Sequence, residues 1–243
     1  NFHHQWKETM NIKFKLFIGL FLLCISLSAQ NKTDSLYVNV SLKFNQNDFK
    51  LNSDYVSAQK DTISFETVKF YLTGFQLEFK DQSTYSEDNS YHLIDFENPE
   101  TMQFSIANHL HKEIKSIKFN IGVDSLASVS GAMEGDLDAT KGMYWAWQSG
   151  FINFKIEGKS PSCKTRKNKF QFHVGGYLEP YYNMKSIKIP IFKSQIPNNK
   201  INLVLDLGKL FSEISLKETN TIMIPGIEAM KIADLTTKIF SIE

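Results

Sequence analysis

Four histidines lie downstream of residue 30: His92, His109, His111 and His173. Imidazole in its neutral form is the commonest protein ligand for copper and zinc, so each is a candidate metal ligand. His109 and His111 are two residues apart, and on a strand both rings would point the same way and chelate one ion. Asn108 and Lys112 beside them read instead as a solvated loop. His173 sits in Phe170-Gln171-Phe172-His173-Val174-Gly175, where the apolar residues take one face and His173 shares the other with Gln171. His92 lies in a second strand-like segment, Tyr91 to Phe96. The plain alternative for both is a hydrogen-bonded sheet histidine. Glu134, Asp136 and Asp138 alternate in a glycine-flanked loop that suits either calcium or a capped turn. An acid pair could also serve glycoside hydrolysis, which needs a separation in space that spacing in sequence does not supply.

Just beyond these acids lies the densest run of bulky side chains, Met143-Tyr144-Trp145-Ala146-Trp147-Gln148-Ser149-Gly150-Phe151. In an extended chain Trp145 and Trp147 project to one side, with Tyr144 and Ala146 on the other. Three readings are open: a buried aromatic corner, a stacking platform for sugars, or a tryptophan placed beside a metal. Met143 would add a soft thioether, which favours Cu(I).

The elements that must position these residues are strands. Leu36, Val38, Val40, Leu42 and Phe44 alternate with polar residues, as do Ile117, Phe119, Ile121 and Val123. Phe70 and Leu72 continue into Phe75, Leu77 and Phe79 across Gly74, which predicts a bulge there. Further one-sided strands follow at Ile152–Ile156, Phe170–Val174, Ile187–Ile191 and Ile201–Leu207. Seven or more such strands predict an all-β fold, an antiparallel β-sandwich. A short turn of helix is expected over Lys209–Ser215. A C-terminal helix is expected after Pro225, with Ala229, Ile232, Ala233, Thr236 and Ile239 at helical spacing.

The 27 basic residues balance the 26 acidic ones, so no field favours nucleic acid. Met10 reads as the start of translation, preceded by an upstream extension. Lys13 and Lys15, the apolar run Leu16 to Leu27 and Ser28-Ala29-Gln30 form a secretory signal pattern with cleavage expected after Ala29. The apolar run is shorter than the ~20 residues a membrane span requires. The expected organisation is therefore a leader over residues 1–29 and one domain over 30–243, periplasmic or secreted. Cys24 would leave with the leader, and Cys163 alone closes no internal disulfide.

Several segments together resemble the MbnP-like family, periplasmic relatives of the copper-binding protein of methanobactin systems. They are Val68-Lys69-Phe70-Tyr71-Leu72-Thr73, Ile117-Lys118-Phe119-Asn120-Ile121-Gly122-Val123-Asp124, the Met143 to Phe151 run, Phe172-His173-Val174-Gly175, and Ile224-Pro225-Gly226 with Glu228 to Ala233. The tryptophan–glutamine–glycine run is the specific part. The resemblance implies an exported, non-enzymatic β-sandwich that binds copper for acquisition, storage or delivery. It also implies a partner, a di-haem peroxidase-like enzyme, that opens one tryptophan oxidatively to kynurenine. Carried over, Trp145 or Trp147 is the modified residue, His173 the foremost ligand, His92 a second and Met143 a soft contact. Some relatives carry a cysteine framework after the histidine–glycine segment, and Gly176-Tyr177-Leu178-Glu179-Pro180 has none. The alternative reading is a metal-free binding module that takes a glycan or peptide on an aromatic platform of Tyr144, Trp145, Trp147 and Tyr177.

Overall fold

Alternating burial along each strand builds two facing sheets. The structure, a computed structural model, describes residues 35–107, 112–131, 133–148 and 150–243. The expected leader, and the pair His109 and His111, lie outside the described residues. In chain order the strands are β1 (Leu36–Phe44), β2 (Asn47–Asp48), β3 (Asp54–Val56), β4 (Thr62–Phe79), β5 (Thr84–Ser86), β6 (Tyr91–Asp95) and β7 (Gln103–Ala107). Then come β8 (Ile114–Ile121), β9 (Ile152–Lys159), β10 (Lys169–Gly175), β11 (Lys185–Pro190), β12 (Lys200–Asp206), β13 (Thr221–Ile222) and β14 (Phe240–Ile242).

The smaller sheet runs β14-β12-β1-β2, with β7 also paired to β1. The larger runs β11-β8-β4-β9-β10-β13. β4 is its spine. One edge of β4 takes β9 along Ser64–Phe70 and β8 along Leu72–Phe79, while β3, β6 and β5 pair along the other. The change from β9 to β8 falls next to Gly74, whose φ of 60° and the register shift between Thr73 and Gln76 are the expected bulge.

Most pairings are antiparallel, as expected, but β1–β12 and β10–β13 are parallel, so both sheets are mixed. A parallel pair needs a long crossover, and β1 and β12 are separated by most of the domain. Local alternation carries no sign of that. Phenylalanines tie the two sheets together: Phe240 of β14 meets Phe70 and Phe119, and Phe104 of β7 meets Phe75.

Helices close the ends. Leu207–Ser212 follows β12 directly, capped by Asp206, whose carboxylate accepts from the Gly208 and Asn45 amides at 2.9 and 2.8 Å. The helix Ile227–Thr236 buries Ala229, Ile232, Ala233 and Thr236, four of the five positions its spacing predicted. It is not the last element, because the chain turns at Ile239 into β14 and adds an antiparallel strand to β12.

A second, smaller core lies on the outer face of the larger sheet. Tyr71, Leu93 and Ile152 point away from the main core and are covered by the excursion between β8 and β9. That excursion supplies Val123, Ala127, Leu137, Met143 and Trp145. Alternation alone would leave Tyr71 facing water and would set Ile152 inward with Phe154 and Ile156, and Val123 inward with Ile121; the structure places all three in this outer core instead. Tyr71, Leu93 and Ile152 are buried here because 30 residues of chain, 122–151, fold back over them.

Candidate metal and aromatic site

Cross-strand register decides which of the candidate residues share a face. Phe70, Phe154 and Phe172 point into the main core, so Lys69, Lys155 and His173, each one residue out of phase, point outward. His173 lies directly opposite Lys155. Its Nε2 is 2.6 Å from Glu157 Oε1, and the imidazole is 7% exposed. An ionised carboxylate only accepts, so Nε2 carries the proton and donates it. Nδ1 is then the ring nitrogen with a free lone pair whenever His173 is neutral. Metal-bound histidines use this same arrangement, with a carboxylate holding the tautomer and ring angle from the far side.

The His173 hydrogen bond is the largest influence on Glu157 and holds its carboxyl at about 2, well below the usual 4.5, against the opposing effect of burial. A depressed value in the folded state means that the contribution to stability is complete above about pH 4.5. It disappears as pH falls through 4.5 toward 2. The stability gap between the protein and its Glu157→Gln variant, followed by urea denaturation, should therefore narrow across that acid window and stay constant from pH 5 to 7. A gap independent of pH down to 2 would show that Glu157 is not held in this way.

His92 is placed elsewhere. It pairs with Leu72 on the inward face of the larger sheet, stacked on Phe104 with ring centroids 3.8 Å apart and edge-on to Phe75. Its Nε2 meets Glu87 Oε2 at 2.9 Å. His92 and His173 thus lie on opposite faces of one sheet, and the structure does not bring them to a common ion. The reason is register: His92 is in phase with the core residue Ile94, whereas His173 is out of phase with Phe172 and Val174.

Met143 is fully buried in the outer core, where its carbonyl accepts from the Ile152 amide at 2.8 Å. No histidine belongs to that cluster. Among the described residues no group of three His, Cys, Asp or Glu side chains could hold a metal ion. Asp136 pairs with Lys141 at 2.6 Å and accepts from the Leu93 amide, and Asp138 caps Thr140. Both acids hold the covering loop in shape, which is the capped-turn reading. Cys163 is buried in the main core, and burial pushes its thiol up to about 11.

Trp145 and Trp147 are separated by a tight turn rather than aligned on an extended strand. Tyr144 bridges to Phe151, and the Trp145 amide donates to Gly150. Trp145 is 5% exposed and Trp147 is 65% exposed, with ring centroids 6.1 Å apart. Tyr144 packs against the outer core, so the four aromatics do not form one flat platform.

The Trp145 indole lies over Gly175, where a Cβ would stand 2.8 Å from ring atom Cζ3. Gly175 is two residues along β10 from His173 and faces the same way, a separation of roughly 7 Å along a strand. Trp145 and His173 therefore lie on one face of the sheet, with Gly175 under the indole. The indole Nε1 is buried without a hydrogen-bond partner, a costly state for a polar group unless the site uses it.

A family model described as MbnP matches residues 33–224, a span that holds every strand from β1 to β13 together with Trp145 and His173. The chain belongs to the MbnP family. MbnP from Methylosinus trichosporium aligns with this structure at a TM-score of 0.60 and 14% sequence identity, over 81% of this chain and 83% of that chain. At that identity the likeness establishes the MbnP fold. A search of curated proteins finds no match. Family membership makes this a methanobactin-associated protein. Among the described residues no helix is long and apolar enough to cross a membrane.

Sequence reasoning missed Glu157, which orients His173, and Gly175, which admits the indole. Glu157 alternates with the core residues of β9, but its pairing to His173 is diagonal across two strands. No local pattern carries that information.

Proposed function

We propose that this MbnP-family protein is an exported, non-enzymatic copper-binding protein that works in copper acquisition, storage or delivery. The observation that carries the reading is Trp145 over Gly175, on the same face and strand as His173. His173 would offer Nδ1 to copper, with Glu157 holding the ring. His92 lies on the opposite face of the sheet, and Met143, in the same outer core as Trp145, is fully buried, so neither is counted in that set.

The buried, unpartnered Nε1 of Trp145 supports a further step in the reading. Oxidative cleavage of the indole C2–C3 bond to kynurenine, by a di-haem peroxidase-like partner using a peroxide or dioxygen as oxidant and with C2 then lost by hydrolysis as formate, would turn that ring nitrogen into an amine and C3 into a ketone. Both are donor groups that the unmodified side chains do not supply. Trp145 is the better assignment than Trp147, because only its ring lies beside the His173 strand. Copper held here would be retained by nitrogen and oxygen donors on a half-dry face, shielded by the 122–151 excursion. Export is supported by the lysine-flanked apolar run that ends in Ser28-Ala29-Gln30.

The test is intact mass, peptide mapping and metal content of the mature protein purified from the periplasm of its own host. About one copper per chain, with Trp145 altered in mass, is the expected result. An unaltered chain that takes up neither Cu(I) nor Cu(II) would overturn the reading.

A further inference from the structure

Beside Trp145, on the side of the 176–181 turn, the structure holds a half-open cleft of about 240 Å³. Trp145, Tyr177 and Tyr181 give it three aromatic rings, Phe151, Leu178 and Pro225 complete its apolar wall, and Gln148 adds one amide side chain. Two glycines set the rings in place. A Cβ on Gly150 would stand 2.7 Å from Tyr177 Cε1, and one on Gly176 would stand 2.3 Å from the Tyr181 carbonyl oxygen. Both glycines have positive φ, 123° and 134°, a region other residues rarely adopt. The chain bends here in a way that lets Tyr177 and Tyr181 close on the cleft.

Glu179 is the only charged residue among the described ones that line this cleft. No lysine or arginine lines it, and the Glu179 carboxylate has no ion-pair partner among the described residues. Aromatic ring faces carry negative potential, so rings plus one free carboxylate select against anions and for cations. The volume lies below the roughly 300–1,000 Å³ of pockets that take drug-sized molecules. A small headgroup with apolar surface fits these limits better than a sugar chain, whose many hydroxyls would meet only Gln148 and Glu179 on an otherwise apolar wall.

We propose that this cleft binds a small organic cation of the alkylammonium class, with its methyl groups against Trp145, Tyr177 and Tyr181 and its charge toward Glu179. The inference goes beyond copper: neither His173 nor Glu157 lines the cleft, and Trp145, which both sites share, enters here as the intact indole.

Calorimetric titration of the mature, metal-free protein with unmodified tryptophans tests it, with choline alongside 3,3-dimethylbutan-1-ol, which has the same shape and no charge. Choline should bind and quench tryptophan fluorescence. The neutral analogue, and choline with the Glu179→Gln variant, should bind about tenfold more weakly. Glu179 is exposed, so a matching thermal melt of the variant separates lost recognition from lost folding. Three results would overturn the proposal: no choline binding at roughly 10 mM, equal binding of the neutral analogue, or an unchanged affinity in Glu179→Gln.

Discussion

On the copper reading proposed above, His173→Ala should remove copper retention and His92→Ala should leave it nearly intact. The two histidines have similar surroundings at first sight, each with Nε2 on a glutamate. They differ in the face they occupy. His173 shares its face with Trp145, whereas His92 is stacked on Phe104 between the sheets. Loss of a supporting partner such as Glu157 typically weakens a metal by roughly 10–100-fold. Loss of His173 itself should exceed that, and the Glu157→Gln variant should fall within it. Competition against a Cu(I) chelator, with the modified protein from its own host, measures all three. If His92→Ala loses copper and His173→Ala keeps it, the site lies on the inner side of the sheet and the assignment to the Trp145 face is wrong.

Phe65→Ala should be the most destabilising single truncation, at about 3–5 kcal/mol. Phe65 is fully buried on β4, with ring contacts to Phe44, Phe49, Tyr55, Phe170 and Phe211 at 5.1–6.0 Å. Those partners come from both sheets and from the helix Leu207–Ser212. A cavity at this point cannot be filled by one neighbour moving, because each ring is held by others. Trp147→Ala is the control. Its ring is largely exposed, and its loss should change stability by no more than about 0.5 kcal/mol. Urea denaturation of both variants checks the contrast, and a cost below about 1 kcal/mol at Phe65 would show that the aromatic cluster repacks freely.

The two predictions rest on different kinds of information. Phe65 belongs to a one-sided strand whose inward face is readable from alternation, and the main core follows from such strands. The C-terminal helix was equally legible, since Ala229, Ile232, Ala233 and Thr236 recur at helical spacing and are buried. Trp145 and His173 were picked out as residue types in a family-like pattern. Neither spacing nor pattern says that they share a face of the sheet. They are 28 residues apart in sequence, and their sharing a face depends on the excursion folding back over β10.

Glu134, Asp136 and Asp138 make the same point in the opposite sense. In sequence they suggest a cation loop or an acid pair. In space Asp136 is engaged by Lys141 and the Leu93 amide, and Asp138 by Thr140, so those two acids shape the cover of the outer core. A carboxylate's role follows from which donors reach it, and those donors come from other strands.

By itself the sequence did not determine the outward placement of Ile152 and Val123. It determined the strand content, most of the inward residues, the C-terminal helix and the family. These are local properties, because side chains alternate with a period of two in strands and recur every three to four residues in helices. Only the tertiary structure decided that β1 lies parallel to β12, that His92 and His173 occupy opposite faces, and that Trp145 covers Gly175. Each of those depends on register and on chain returning from far away. A shift of one residue in pairing would exchange the faces without altering any local pattern.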